Sequence, residues 1–482
     1  MKLFPFQNTY VNLPEHFYER VEPAKVPAPS LIRFNEDLAG LLGLDRSTAS
    51  DEEIAAQLGG NVIPEGSEPL AQAYGGHQFG GWVPRLGDGR AILLGEVVGT
   101  DGVRRDIQLK GSGRTPFSRG GDGKSPLGPV LREYLVSEAM FALGVPTTRS
   151  LAAVATGEPV YREEKLPGAV LTRVASSHLR IGTFQYFLAQ EDHEAIRILA
   201  DFAIERHYPG CGSEGNPYTA FLGQVIERQA ALVAQWMSLG FIHGVMNTDN
   251  MTISGETIDF GPCAFMDEFH PEKVFSSIDR NGRYAWGNQP AIAHWNLTRL
   301  AEALLPLFDE DREKAIGMAE ERLGEFEEQF KEAFYGRFRA KLGWRDKKEK
   351  SGEFVDSTLE FLSGGKVDFT RFFRELTRVA AGEPEGGLIA LSKDGVASAK
   401  WLQSWRDSGE PDVDLMQSSN PILIPRNHRI EQAIVAANGG DASLFHRLAD
   451  AYRTPFEIGS DLADLEQAPD PEEVVCATFC GT

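Results

Sequence analysis

Cysteine is scarce, with four in 482 residues. That is too few for a disulfide scaffold, and it predicts a reducing, cytoplasmic setting. No run of about 18 apolar residues occurs, so no membrane-spanning helix is expected. The opening stretch MKLFPFQNTY has neither the apolar core of a secretory signal nor the Arg/Ser bias of a transit peptide. Internal repeats and low-complexity tracts are missing as well. Positive charge is in deficit: 48 Lys and Arg stand against 70 Asp and Glu, a net of −22. A surface this acidic repels phosphate backbones and anionic lipids, so neither nucleic acid nor a membrane is an expected partner. Any anion the chain binds needs a local basic pocket.

What is present is ordinary in bulk and uneven in detail. A hydrophobic share of 42% and a charged share of 24% are globular proportions, and the length suits two or three packed units. Glycine is concentrated: 15 of the 50 fall between Gly75 and Gly128. Tight turns explain most such clusters, whereas backbone that approaches a phosphate closely explains others. AILLGEVV (91–98) and RRDIQLKG (104–111) flank a turn and read as a hairpin. A helix is expected over 129–143, strands near 149–155 and 168–175, and helices dominate from about 180. A short helix is expected within LIRFNEDLAGLLGL (31–44), a short hairpin at MTISGETIDF (251–260), and a break at Ser363-Gly-Gly365.

Two constellations carry chemistry. Lys110 ends the alternating strand, and Glu133 follows 23 residues later inside the helix. A strand lysine held by a helix glutamate is how kinase-like folds grip ATP phosphates. Glu138 on the same helix is a rival partner, and spacing alone leaves the choice open. The second constellation is His243-Gly-Val-Met-Asn-Thr-Asp249-Asn250, followed by Asp259-Phe260-Gly261. Its order matches a kinase catalytic loop and metal-binding triplet. Oxygen donors from Asn250 and Asp259 suit Mg²⁺ on nucleotide phosphates. The residue two after His243, where a kinase keeps its catalytic Asp, is Val245, while Asp249 stands beside Asn250. Arg90, Arg173 and Arg180 flank the glycine-rich loop and the lobe junction, and would supply the basic pocket.

These patterns predict an α+β, protein-kinase-like two-lobed fold. An N-terminal extension (1–74) precedes a small strand-rich nucleotide-binding lobe with one key helix (75–178). A larger helical lobe with the catalytic and metal loops follows (179–345), then a helical C-terminal extension (346–482).

The runs YGGHQFGGWVPRLGDGRAILLGE, IQLKGSGRTPFSRGGDGK, LREYLVSEAM, GVPTTRSL and GVMNTDNMTISGETIDFGPCAFMD resemble the selenoprotein O family, as does NPILIPRNHRIEQAI further on. The resemblance implies a kinase-fold protein, of the kind once called a pseudokinase, that moves AMP from ATP onto protein hydroxyls. It also implies that ATP binds inverted, with the α-phosphate facing the acceptor. Carried over by motif, Lys110 with Glu133 would hold the phosphates, and Gly87, Gly89, Arg90, Asp122 and Gly123 would line the nucleotide. Arg173 and Arg180 would hold the phosphates that leave as pyrophosphate. Asn250 and Asp259 would bind Mg²⁺ or Mn²⁺, and Asp249 would accept the proton. The family's third-from-last residue is Sec or Cys, here Cys480, although the ending Cys-Gly-Thr departs from the more usual Cys-Ser-Ser. A redox disulfide between Cys263 and Cys480 is expected, with Cys476 as a competing partner.

The function expected is a protein adenylyltransferase acting on Ser, Thr or Tyr, with transfer of other nucleotidyl groups such as UMP also open. A γ-phosphotransferase and a non-catalytic nucleotide-binding scaffold are the alternatives. The partners expected are ATP and protein substrates, with the enzyme itself a monomer.

Overall fold

The computed structural model describes residues 4–212, 215–347, 350–457, 459 and 462–479. Its N-terminal half is built on strands Tyr18–Arg20 (β1), Ser30–Phe34 (β2), Leu70–Gln72 (β3), Gly76–Gln78 (β4), Gly81–Val83 (β5), Ala91–Val98 (β6), Arg104–Lys110 (β7), Ser125–Pro126 (β8), Arg149–Tyr161 (β9) and Lys165–Ala175 (β10). Eight of them form one sheet in the order β1-β3-β6-β7-β10-β9-β2, with β8 paired to β10, while β4 and β5 form a separate hairpin. Every named pairing in it is antiparallel. The segment 1–74, expected as an extension, thus contributes three strands. Helix formation within 31–44 is confined to Glu36–Leu41 (α1), because Ser30–Phe34 pairs with β9 and Asn35 caps the helix through Leu38 N.

Alternation along β7 sorts its side chains. Ile107 and Leu109 join a core with Leu94, Val154, Val170 and Val174, covered by Ile54, Ala55 and Leu58 of Asp51–Leu58 (α2). Asp106, Gln108 and Lys110 therefore point to the opposite face. That face is covered by Leu127–Ala142 (α3), in which 12 of 16 residues are buried, so the helix is enclosed rather than amphipathic.

The C-terminal half contains Ile181–Leu188 (α4), His193–His207 (α5), Pro217–Ser238 (α6), a two-stranded ladder of Phe241–Ile242 (β11) with Ala264–Phe265 (β12), then Gln289–Phe308 (α7) and Arg312–Lys341 (α8). The acidic α8 buries Ala315, Ala319, Phe326, Phe334 and Phe338, a single stripe at helical spacing. Seven more helices follow: Ser351–Gly365 (α9), Phe369–Ala380 (α10), Gly386–Ala390 (α11), Gly395–Asp407 (α12), Val413–Ser419 (α13), Asn427–Asn438 (α14) and Ser443–Ala451 (α15). Among the described residues no helix is long and apolar enough to cross a membrane.

Three local expectations are corrected. The stretch 251–260 is a tight turn rather than a hairpin. Thr252 Oγ1 bonds Glu256 at both its N and O, and Thr252 and Thr257 bridge separately to Arg180 and Thr147. The Ser363-Gly-Gly365 break is the last turn of α9, stopped by left-handed Lys366. The described residues of 462–479 are not helical, so Cys476 lies on irregular chain.

Two buried charge clusters fasten these parts together. Where the sheet passes into the helices, Arg206 pairs with Glu96 (2.9 Å) and Asp106 (2.5 Å), and His178 Nδ1 lies 3.0 Å from Asp106. Glu96 also accepts from Thr9 and Tyr10, and Arg206 Nε donates to Ser176 O. Burial pushes His178 down to about 4, so it is neutral there. At the C-terminal side, Arg426, 2% exposed, pairs with both Asp267 and Asp368. Removing one partner of such a group strands buried charge. Arg426→Ala should therefore cost roughly 3–5 kcal/mol in denaturant unfolding, with part recovered when Asp267→Asn and Asp368→Asn are added. An unchanged unfolding midpoint would assign this docking to apolar contacts alone.

Candidate active site

A cleft of about 430 Å³ lies between one side of the sheet, the residue that precedes α4 and the loop that follows α6. That volume suits a small-molecule ligand. Its upper wall is glycine backbone. Gly87 has φ +62, and a Cβ there would sit 2.2 Å from the Phe117 ring. Gly123 has φ +69, and a Cβ would approach Gly113 O to 2.0 Å. Gly87 is required by the close stacking of loop 111–124 on loop 84–90, and Gly123 by that loop folding back on itself.

The floor is a buried cluster of charge. Lys110 Nζ lies 2.5 Å from Glu133 and 2.6 Å from Asp259. Arg173 reaches Glu133 (3.3 Å) and Asp259 (2.9 Å), and Arg180 reaches the other Asp259 oxygen (2.9 Å). Strand register sets the first two. Arg173 is directly opposite Gln108, which accepts from its guanidinium at 2.7 Å, and Leu171 is opposite Lys110. Arg180 precedes α4, donates to Asp249 O (2.7 Å) and lies over the Tyr74 ring (4.7 Å). Burial opposes the charge of Asp259, but Lys110, Arg173 and Arg180 outweigh it and hold the carboxyl well below its usual range. Its backbone is left-handed, φ 64, which is uncommon outside glycine.

Glu138, the rival for Lys110, faces elsewhere. It accepts from Arg149 (2.7 Å), Asn35 (2.7 Å) and Ser150 N (2.8 Å). Asp122 lines the cleft, but its carboxylate is tied to Arg162 (2.9 Å); Gly89 and Arg90 line it too.

On the opposite wall His243 is buried with its ring against Ile258 O (2.8 Å). Asn250 donates its amide N–H to Val245 O (3.0 Å), which leaves its carbonyl oxygen for other use. Asp249 accepts from Gln78 at one oxygen (3.2 Å), and its Oδ1 is buried without a partner. Burial pushes Asp249 up to about 6, against the pull of Arg180 and the Gln78 hydrogen bond.

A divalent ion fits in kind. Asn250 and Asp259 offer hard oxygens, and a hard cation with one or two protein ligands completes its shell with phosphates and water. Among the described residues no cluster of three His, Cys, Asp or Glu suggests a metal site complete without phosphates.

Cys263 is buried behind this wall. Its thiol is pushed up to about 12 by burial, and it donates to Phe260 O (3.2 Å). Cys480 lies outside the described residues. Thr478, two residues earlier, donates through Oγ1 to Pro262 O (2.6 Å) and bridges Ser276.

Sequence reasoning missed Tyr74, Gln78, Asp88 and Phe117. All line the cleft; Tyr74 and Gln78 lie in YGGHQFGGWV, whose glycines and family resemblance give neither side chain a role. Asp88 is buried and pushed up to about 6, with Gln72 N and Gln108 as donors.

The sequence matches the family described as protein adenylyltransferase SelO over residues 2–453. The chain belongs to the SelO family. Among its relatives is a protein of Ruegeria sp. (strain TM1040) named protein nucleotidyltransferase YdiU, 57% identical and covering 99% of both chains. Proteins of the same name from Rhizobium meliloti (strain 1021) and Agrobacterium fabrum are each 54% identical over the full length of both chains. By this membership the SelO-family chain is a nucleotidyltransferase.

The two glutamates of α3 should separate in effect. Glu138→Ala strands the half-buried Arg149 and should cost roughly 1.5–3 kcal/mol in stability, with nucleotide affinity kept. Glu133→Gln should instead weaken nucleotide binding in calorimetry, because Lys110 and Arg173 lose their anchor. The reverse pattern would exchange their assignments.

Proposed function

We propose that this enzyme transfers AMP from ATP to a Ser, Thr or Tyr hydroxyl of protein substrates, on a kinase-like scaffold with the nucleotide inverted. The observation that carries the reading is the arrangement of charge in one cleft. Lys110, Arg173 and Arg180 gather around Asp259, while Asp249, one oxygen of which is buried without a partner, stands on the facing wall. A kinase base two residues after His243 is replaced by Val245, so Asp249 is the carboxylate left to take a proton. The family description supports adenylyl as the group transferred.

With phosphates bound, the three cations would shift their pairing from Asp259 toward phosphate oxygens. Arg173 and Arg180 would take the β- and γ-phosphates, Lys110 fixed by Glu133 would grip the chain, and Gly87, Gly89, Arg90, Asp122 and Gly123 would line the nucleotide. Asp259, freed, and Asn250 would hold Mg²⁺ or Mn²⁺, which when bound offsets charge on the phosphates. The acceptor oxygen then attacks the α-phosphorus. The bond to the oxygen bridging α and β breaks, pyrophosphate leaves with that electron pair, and the hydroxyl proton passes to Asp249.

The test is which label moves. With α-labelled ATP the acceptor should gain label and about 329 Da, the mass of one AMP unit; a γ-labelled product about 80 Da heavier would make this a phosphotransferase. Asp259→Ala should lower the rate roughly 10²–10³-fold or more, and Asp249→Asn should slow transfer while nucleotide binding persists.

We also propose that Cys263 and Cys480 form a redox disulfide that slows the enzyme. The Thr478–Pro262 contact supports it, since it brings the chain two residues before Cys480 onto the residue before Cys263. The buried Cys263 must be uncovered first. Oxidised protein should yield a Cys263–Cys480 crosslinked peptide, and reductant should restore activity. Two free thiols under oxidant would overturn it.

A further inference from the structure

The β4–β5 hairpin is pinned to the catalytic loop through β4 and its tip. His77 N donates to Thr248 Oγ1 (2.7 Å), Gln78 Nε2 to Asp249 (3.2 Å) and Phe79 N to Asn247 Oδ1 (3.0 Å). Tyr284 OH donates to the same Asn247 oxygen (2.6 Å), and its ring meets Phe79 edge-on at 5.1 Å. At the tip Phe79 holds φ 51, a left-handed conformation that a bulky residue rarely adopts. So fixed a hairpin is part of the site rather than a loose turn.

What it carries outward is apolar. Phe79 (37% exposed), Trp82 (39%) and Ile278 (59%) are large hydrophobic side chains left in solvent. Phe79 and Ile278 also line the cleft beside Asp249. Trp82 meets His77 at a tilt (5.1 Å), and His77 meets Trp295 edge-on (5.3 Å), so the aromatic surface continues away from the cleft. Beside it is cationic charge. The Arg283 guanidinium lies over the rings of Trp295 (5.0 Å) and Tyr284 (5.8 Å), against the hairpin at Gly80, and forms no ion pair among the described residues. Its loop also carries exposed Arg280. On a chain of net charge −22, an aromatic face edged by arginine next to the reacting carboxylate is suited to one occupant.

We propose that this face, formed by Phe79, Trp82, Ile278 and Arg283, docks the acceptor polypeptide. It takes a large apolar side chain next to the acceptor hydroxyl and a carboxylate a few residues away. The apolar side chain would lie against Phe79 and Ile278, the acidic one against Arg283, and the hydroxyl between them would face the Asp249 carboxylate. The inference rests on the proposed transfer to protein hydroxyls and names the substrate class for it. Gln78, by occupying one Asp249 oxygen, would be a positioning residue for that encounter.

The experiment offers a degenerate peptide library, each member with one Ser, Thr or Tyr, to the wild type and to two variants. One variant is Phe79→Ala with Trp82→Ala; the other is Arg283→Glu. Alanine at 79 is strained no more than phenylalanine, and these side chains are partly exposed, so folding should survive. Parallel arms use α- and γ-labelled ATP, so which group moves is read separately from which peptide is chosen, and calorimetry reads ATP affinity. The wild type should select peptides with an apolar residue beside the hydroxyl and Asp or Glu nearby. The double variant should raise KM for the selected peptide roughly tenfold or more, with ATP affinity unchanged. Arg283→Glu should replace the acidic preference by Lys or Arg. A wild type without positional preference, or variants with unchanged peptide KM, would overturn the proposal while leaving transfer itself intact. Loss of ATP affinity in the double variant would also overturn it, by giving the aromatic face to the nucleobase. A γ-labelled product with the expected peptide preference would overturn the adenylyl reading and support the docking face.

Discussion

Buried cations must be paired, and Lys110, Arg173 and Arg180 are paired largely through one carboxylate. Asp259 receives all three, and Glu133 steadies two of them. Without these anions the cleft could not keep three positive charges, two from the sheet and one from the cap of α4, in an enclosed place, since desolvation of each would cost several kcal/mol. Asp259 thus occupies, in charge terms, the place that phosphate is proposed to take. The site is held in working shape by its own internal counter-anion.

Much of this was legible in the sequence, for reasons that differ by residue. Lys110 could be placed because β7 alternates strictly, and alternation fixes which face a side chain takes. Asn250 and Asp259 could be singled out because their order after His243 matches a catalytic loop and metal triplet, although the segment between them was expected as a hairpin. The choice between Glu133 and Glu138 could not be made from spacing, since both lie on an enclosed helix with no polar face to mark the cleft. What separates them is Arg149 and Asn35, which reach Glu138 from β9 and from the residue after β2.

Other parts were hidden because they depend on partners distant in sequence. Ser30–Phe34 has a helix-compatible composition, and only β9 makes it a strand. The turn at 251–260 looked like a hairpin because Thr and Ile favour strands; its ends are instead taken by Arg180 and Thr147. The role of YGGHQFGGWV was obscured by its glycines, which read as turns whatever the side chains between them do. The last helices were legible as helices but not as a covering layer. Arg132 on α3 pairs with Glu431 (2.5 Å) on α14, so the helix that carries Glu133 is gripped from its far side by the end of the chain.

The cluster of Arg206, Glu96, Asp106 and His178 has a kinetic consequence. It sits at the crossover between the two halves and ties the N-terminal segment, two strands and α5 to one guanidinium. Hinged enzymes swing about a few residues free to change their backbone angles. Here those residues, 176–178, are bonded at Ser176 to Glu256 and Arg206 and at His178 to Asp106. A crossover stapled in this way resists rotation of one half against the other. The two walls of the cleft are then set against each other by folding itself, so the spacing between its charged groups is built in before anything enters.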